Sequence, residues 1–231
     1  MKTIGLLGGM SWESSAVYYR YLNEACRDSL GGLHSAKLLL WSADFAEVAR
    51  LQHQSDWASL GAMLGDAALS LEQAGADAIL ICTNTMHKLA DEIEARLSIP
   101  LLHIADATAE AIAAGGSKRP ILLGTRFTME DGFYQQRLRD GHGIECLVPD
   151  EAGRALVHQV IYEELCRGEI RDDSRSRLLD MIGLLADRGG DGLILGCTEL
   201  PLLIRQSDLG IPAFDTTRLH SDYASRFALS A

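Results

Sequence analysis

A chain of 231 residues with 47% apolar side chains can bury one large core or two half-sized ones. Its formal net charge of −11, with no block of Lys or Arg, argues against nucleic acid as a partner, because phosphate backbones are recognised by clustered positive charge. The start Met1-Lys2-Thr3 leads into only a short apolar run before Trp12-Glu13, too little for a signal peptide or a membrane span, so a cytoplasmic protein with no membrane partner is expected.

Strand-like apolar runs fall at about 3–8, 36–42, 77–82, 99–103, 120–124, 144–148, 191–196 and 211–214, and stretches of helical period separate them. This alternation is the pattern of an α/β protein with a mostly parallel sheet covered on both faces. Punctuation agrees with it. Gly115-Gly116 ends a helix, Thr128 with Asp131 forms a capping pair, and Gly141 closes the helix that follows.

The chain repeats itself. Residues 76–85, Ala-Asp-Ala-Ile-Leu-Ile-Cys-Thr-Asn-Thr, and residues 190–199, Gly-Asp-Gly-Leu-Ile-Leu-Gly-Cys-Thr-Glu, are one phrase written twice, and Ile4-Gly5-Leu6-Leu7-Gly8 recurs as Ile121-Leu122-Leu123-Gly124. Each phrase passes from an Asp through a continuous apolar segment to small polar residues, as a buried parallel strand does when it ends in a ligand-facing loop. The expectation is two pseudo-symmetric three-layer α/β lobes with the active site in a crevice between them. Lobe 1 takes residues 1–115, joined by 212–231, and lobe 2 takes 118–211, with the short segment 115–120 between them.

The repeat superposes Thr83 on Cys197. Cys197 stands at a strand end before the next helix, where a positive helix terminus favours thiolate, and a thiolate is a competent base or nucleophile. A buried structural cysteine is the plainer alternative. Thr83-Asn84-Thr85 offers hydroxyls, a carboxamide and backbone N–H groups suited to a carboxylate, or else an ordinary cap. Cys82, one residue earlier, points to the opposite face of its strand and is expected to pack against a helix. Gly8-Gly9-Met10-Ser11 and Gly124-Thr125 are the matching first-strand ends; the former lacks both dinucleotide and phosphate-loop patterns. His87, four residues past Thr83, is expected in a surface or capping role. The histidines have no zinc spacing and none of the four lysines ends a strand, so neither a metal nor pyridoxal phosphate is expected. The five scattered cysteines lack any disulfide pattern.

The opening Met1-Lys2-Thr3-Ile4-Gly5-Leu6-Leu7-Gly8-Gly9-Met10, the segment Asn84-Thr85-Met86-His87, Ile161-Tyr162-Glu163 and Gly196-Cys197-Thr198-Glu199 together resemble the aspartate/glutamate racemase superfamily over nearly the whole chain. Within it, the chain looks closest to bacterial amino-acid racemases of the L-aspartate/glutamate-specific type. The resemblance implies two related α/β lobes, one catalytic residue from each, no cofactor, an amino-acid substrate and a homodimer. Members with two catalytic cysteines carry Cys-Asn-Thr in the first lobe and Gly-Cys-Thr-Glu in the second. Here the second motif is intact and the first reads Thr83-Asn84-Thr85, so the implied pair is Thr83 with Cys197. Where aspartate racemases tend to carry a substrate-contacting lysine, this chain has Cys166.

The implied reaction is Cα deprotonation on one face and reprotonation on the other. Asn84, Thr85 and Thr198 would stabilise the substrate carboxylate, and Met10, Gln52, Thr125 and Glu199 would complete the pocket, Gln52 being equally readable as a solvated helix residue. A threonine hydroxyl is a poorer acid and base than a thiol, so unequal rates in the two directions are expected. Two other readings stay open from the residues: a single-cysteine decarboxylase similar to arylmalonate decarboxylases, and a small-molecule binding protein without catalysis.

Overall fold

The computed structural model describes residues 1–230. The chain folds into two compact units, Met1–Ile104 with the segment from His220 onward, and Ala105–Leu219.

The first unit begins with β1 (Ile4–Gly8) and α1 (Trp12–Leu30). Ser11 caps α1 by accepting the Ser14 N–H, and Gly31 closes it at φ 74°, a conformation that costs glycine nothing. Next come β2 (Leu38–Ser42), α2 (Phe45–His53), α3 (Trp57–Gln73), β3 (Ala78–Ile81), a 3-10 turn Thr85–Leu89 and α4 (Ala90–Glu94). The strands run parallel in the order β2-β1-β3. Side chains alternate along them. Ile4, Leu6, Ala78, Leu80 and Cys82 enter a core with Tyr18 and Leu22 of α1, while Leu7, Ile79 and Ile81 enter a second core with Leu60, Leu64 and Leu71 of α3. Positions three and four apart on each helix supply its buried stripe.

The second unit follows the same plan, with α5 (Ile104–Gly115), β4 (Ile121–Gly124), α6 (Arg126–Glu130), α7 (Phe133–His142), α8 (Glu151–Gln159), a π turn Val160–Glu164, a 3-10 turn Leu165–Arg167 and α9 (Asp172–Asp187). Then come β5 (Leu193–Gly196), α10 (Leu200–Leu203), a 3-10 turn Gln206–Asp208, β6 (Ala213–Asp215) and α11 (Thr216–Leu229). The sheet is parallel in the order β4-β5-β6, and Ile121, Leu123, Leu193 and Leu195 pack with Leu178, Ile182 and Leu185 of α9.

The Asp that opens each copy of the repeated phrase has one structural job in both units. Asp77 accepts the N–H of Thr3 at 2.6 Å, and Asp191 accepts the backbone N–H groups of Lys118 and Arg119 at 2.7 and 2.9 Å. Each carboxylate therefore ties the entry of one strand to the entry of its neighbour. Burial opposes ionisation of Asp191, yet the Ser117 hydroxyl and those two N–H groups hold its carboxyl below the ordinary 3.8.

Several expectations are corrected. The segments 99–103 and 144–148 are not ladders but single parallel bridges, Ile79 with Leu101 and Ile121 with Leu147, since Pro100 has no N–H to extend the first. The strand near 211–214 stays with β5 in the second sheet, while α11 leaves that unit and buries Ala224 and Ala228 against Ile4 and Leu6 of the first. The division after the first sheet falls between Ile104 and Ala105 rather than at 115–118. α6 is capped by Thr125, whose hydroxyl accepts the Thr128 N–H, and Gly143 at φ 67° closes α7 with Gly141 inside the helix.

Candidate functional site

In a parallel sheet, ligands gather at the carboxyl ends of the strands. In the first unit Leu7 pairs with Ile81, and the Cys82 N–H donates to the Leu7 carbonyl as the last ladder bond. In the second unit Leu123 pairs with Leu195, and Gly124 with Gly196. Thr83 therefore follows the partner of Leu7 by two residues, as Cys197 follows the partner of Leu123. By strand alternation residue 83 has the parity of Ile79 and Ile81 and residue 197 that of Leu193 and Leu195, and Cys197 shares a core with the latter pair. Cys82 lies on the opposite face, fully buried against α1, where burial pushes its thiol far up.

The first-unit residues are arranged around the ends of β1 and β3. Gly9 donates its N–H to Ser15 Oγ at 2.8 Å and adopts φ 83°, and an added Cβ there would meet the Ala43 backbone at 2.3 Å, so only glycine fits this turn. Met10 packs into the α3-side core with Val48 and Leu51. Gln52, next to Leu51 on α2, is 4% exposed, which excludes the solvated-helix alternative. Thr83 is half-buried, and Asn84 and Thr85 are buried where the chain enters the 3-10 turn. His87 is buried rather than on the surface: Nδ1 lies 2.8 Å from the Thr83 carbonyl and Nε2 accepts the Ile104 N–H at 3.2 Å.

In the second unit Thr125 ends β4 and Cys197 ends β5. Glycines at 124 and 196 let these ends approach, for a Cβ on Gly196 would stand 2.7 Å from the Leu123 carbonyl oxygen. Cys197 Sγ–H donates to Glu199 Oε2 at 2.9 Å, and the Thr198 hydroxyl donates to the same oxygen at 2.7 Å. This overturns the expectation of a ready thiolate. Burial first, then the Glu199 carboxylate beside it, raise the thiol well above the ordinary 9.0. α10 has only four residues, too short a dipole to offset an adjacent full negative charge. The resting state is a thiol hydrogen-bonded to a carboxylate.

Strand-end positions in the sequence gave no sign of the aromatic side chains around Cys197. Tyr162 lies within electrostatic reach of Cys197, Cys166 and Glu199, and its phenol is raised mainly by burial. Its ring lies tilted at 48° against that of His158, centroids 4.6 Å apart, and His158 Nδ1 accepts the Arg126 N–H beside Thr125, so the ends of β4 and β5 share one aromatic wall. A helix-period reading could not foresee this, because the π turn Val160–Glu164 and the following 3-10 turn break the 3.6 period there. Among the described residues, no group of three His, Cys, Asp or Glu side chains could hold a metal ion, and no helix is long and apolar enough to cross a membrane.

Comparison with known proteins places the chain in a family. The family model for Asp/Glu/Hydantoin racemase matches residues 7–224. The broad specificity amino-acid racemase RacX of Bacillus subtilis is 26% identical over 217 residues, 93% of this chain and 92% of that protein. A crystal structure from Yersinia pestis, provisionally assigned as an Asp/Glu racemase, is 51% identical with a TM-score of 0.95 and covers 100% of both chains. The structure of an aspartate racemase homologue from Pyrococcus horikoshii OT3 is 32% identical with a TM-score of 0.87, again over 100% of both chains. With two parallel three-stranded sheets built to one plan and a family match over nearly its whole length, the chain belongs to the Asp/Glu/Hydantoin racemase family, and its enzyme class is that of an amino-acid racemase, an isomerase.

Proposed function

We propose that this chain racemises an acidic amino acid, aspartate or glutamate, without a cofactor, using Cys197 on one face of Cα and Thr83 on the other. The observation that carries the reading is the shared ladder position of these two residues, each two steps beyond the strand partner of the leucine that precedes Gly8 or Gly124. The names of the relatives support the substrate class, and the breadth of the Bacillus subtilis relative makes neutral amino acids necessary members of any substrate panel.

In one direction the Cys197 proton passes to Glu199, and the sulfur then takes the Cα proton. The Cα–H bond breaks as S–H forms, and the carbanion receives the proton of the Thr83 hydroxyl on its other face. The resulting alkoxide regains a proton from water, and Glu199 yields its proton to the hydroxide left behind, so every group returns to its starting state. Asn84, Thr85 and Thr198 would hold the substrate carboxylate as negative charge spreads onto it, and Met10, Gln52 and Thr125 would close the pocket. Because threonine is the weaker acid and base, kcat differs between the two directions, while equal free energies of the enantiomers keep kcat/KM the same in both. The same reading, through the family resemblance, makes the working form a cytoplasmic homodimer.

The test is loss of optical rotation on a panel of acidic and neutral amino acids with wild type, Thr83→Ala, Cys197→Ser and Cys82→Ala. The reading expects acidic substrates to be turned over and only the first two variants to be inactive. Full activity in Thr83→Ala or in Cys197→Ser overturns it.

A further inference from the structure

The mechanism gives His87 no task, yet both of its ring nitrogens meet backbone groups, one of them the carbonyl of Thr83. It sits in the 3-10 turn Thr85–Leu89, four residues past Thr83, and is 3% exposed. A backbone N–H can only donate, so the bond from Ile104 N–H to Nε2 at 3.2 Å makes Nε2 the lone-pair nitrogen. Nδ1 then carries the proton and donates it to the Thr83 carbonyl at 2.8 Å. Both ring nitrogens are thereby committed to one neutral tautomer.

The surroundings keep the ring in place. Its centroid lies 4.6 Å from that of His103 and 5.5 Å from that of His220, both edge-on. His220 is fixed in the same manner, its Nε2 donating to the Leu102 carbonyl at 2.6 Å and its Nδ1 accepting from the Tyr18 hydroxyl at 2.9 Å. Burial first, then the two neighbouring imidazoles, hold His87 well below the ordinary 6.5, so the neutral tautomer persists through neutral pH. Thr83 itself stands beyond the last ladder bond of β3, at Cys82, where the sheet no longer fixes its peptide plane.

We infer that His87 is the positioning residue of Thr83: by clamping the carbonyl of residue 83 to the backbone at Ile104, it sets the direction of the threonine hydroxyl. The inference rests on the proposed role of Thr83. A small displacement of a proton carrier costs far more rate than stability, because the transfer distance must hold to a fraction of an ångström.

The experiment follows single enantiomers of aspartate in D2O by proton NMR, which separates deuterium entry with retained configuration from inversion. For the enantiomer whose proton faces Cys197, retained exchange needs only the sulfur, whereas inversion also needs Thr83. His87→Ala should slow inversion about 10- to 100-fold and leave retained exchange within about twofold. His87→Asn, whose amide reproduces the Nδ1 donor, should restore inversion, and His87→Gln, which reproduces only the distal acceptor, should not; this pair decides the matter if the alanine variant is poorly folded. Equal slowing of exchange and inversion, or equal behaviour of the Asn and Gln variants, overturns the inference. A Thr83→Ala control that leaves inversion intact overturns the underlying role of Thr83 instead, so the two failures are distinguishable.

Discussion

Replacing Glu199 by Gln removes the acceptor of the Cys197 proton while keeping the shape of the side chain. An ordinary thiol at 9.0 is about 1% ionised at pH 7, and burial makes the fraction at Cys197 smaller still. In the native site the proton need not leave for solvent, since Glu199 Oε2 lies 2.9 Å away and transfer to it keeps the net charge of the pair. That transfer exchanges no proton with solvent and is therefore independent of pH. In Glu199→Gln the proton must leave for solvent, and the thiol falls back towards its ordinary value because the neighbouring negative charge is gone. Retained-configuration deuterium entry into the Cys197-facing enantiomer should drop about 100-fold or more at pH 7, within the range of a lost general base. It should then climb about tenfold per pH unit towards 9, where the wild-type profile stays flat. The exchange assay is the informative one, because equal kcat/KM in the two directions hides which face was damaged. A Glu199→Gln enzyme with the wild-type rate and a flat profile would refute the thiol–carboxylate account.

Other outcomes follow from the same geometry. Thr83→Cys gives the first strand end the stronger acid and base of the two-cysteine relatives, so the kcat values for the two enantiomers should move closer together; polarimetry with each enantiomer checks this. Gly196→Ala sets a Cβ 2.7 Å from the Leu123 carbonyl, which must push the ends of β4 and β5 apart, so a stability loss of about 1–3 kcal/mol in urea and a larger loss of activity are expected. Asp191→Ala removes the acceptor of two backbone N–H groups and should cost about 1–2 kcal/mol, a charged hydrogen-bond value reduced for its partial exposure. The folded carboxyl lies below 3.8, so its contribution is complete above about pH 4 and fades as pH falls through the folded value. Urea midpoints of wild type and variant should therefore differ at pH 7 and converge in acid.

Much of this was legible in the residues because the fold was written twice. The alternation that puts Cys82 on the α1 face of β3 is visible in Ile79-Leu80-Ile81, whose side chains divide between the two cores in the same way. The apolar strand runs, the glycines at 124 and 196 and the Asp at each phrase start all carry local signals of period or close approach. What escaped the sequence depends on tertiary placement. No spacing rule could bring His220 next to His87, because the whole second unit intervenes in the chain and only α11, crossing back to the first unit, joins them. The thiolate expectation failed for a related reason: it weighed a helix start, which sequence can indicate, against a carboxylate two residues away whose rotamer it cannot. The wall of His158 and Tyr162 was hidden by the change from α to π winding at Val160.

Solvent-deuterium entry into one enantiomer of aspartate, with Thr83→Ala and Cys197→Ser compared side by side, bears most directly on the two-face mechanism. The account predicts that Thr83→Ala loses inversion but still exchanges one enantiomer with its configuration retained, and that Cys197→Ser abolishes that exchange. Persistence of the exchange in Cys197→Ser, or undiminished inversion in Thr83→Ala, would contradict it.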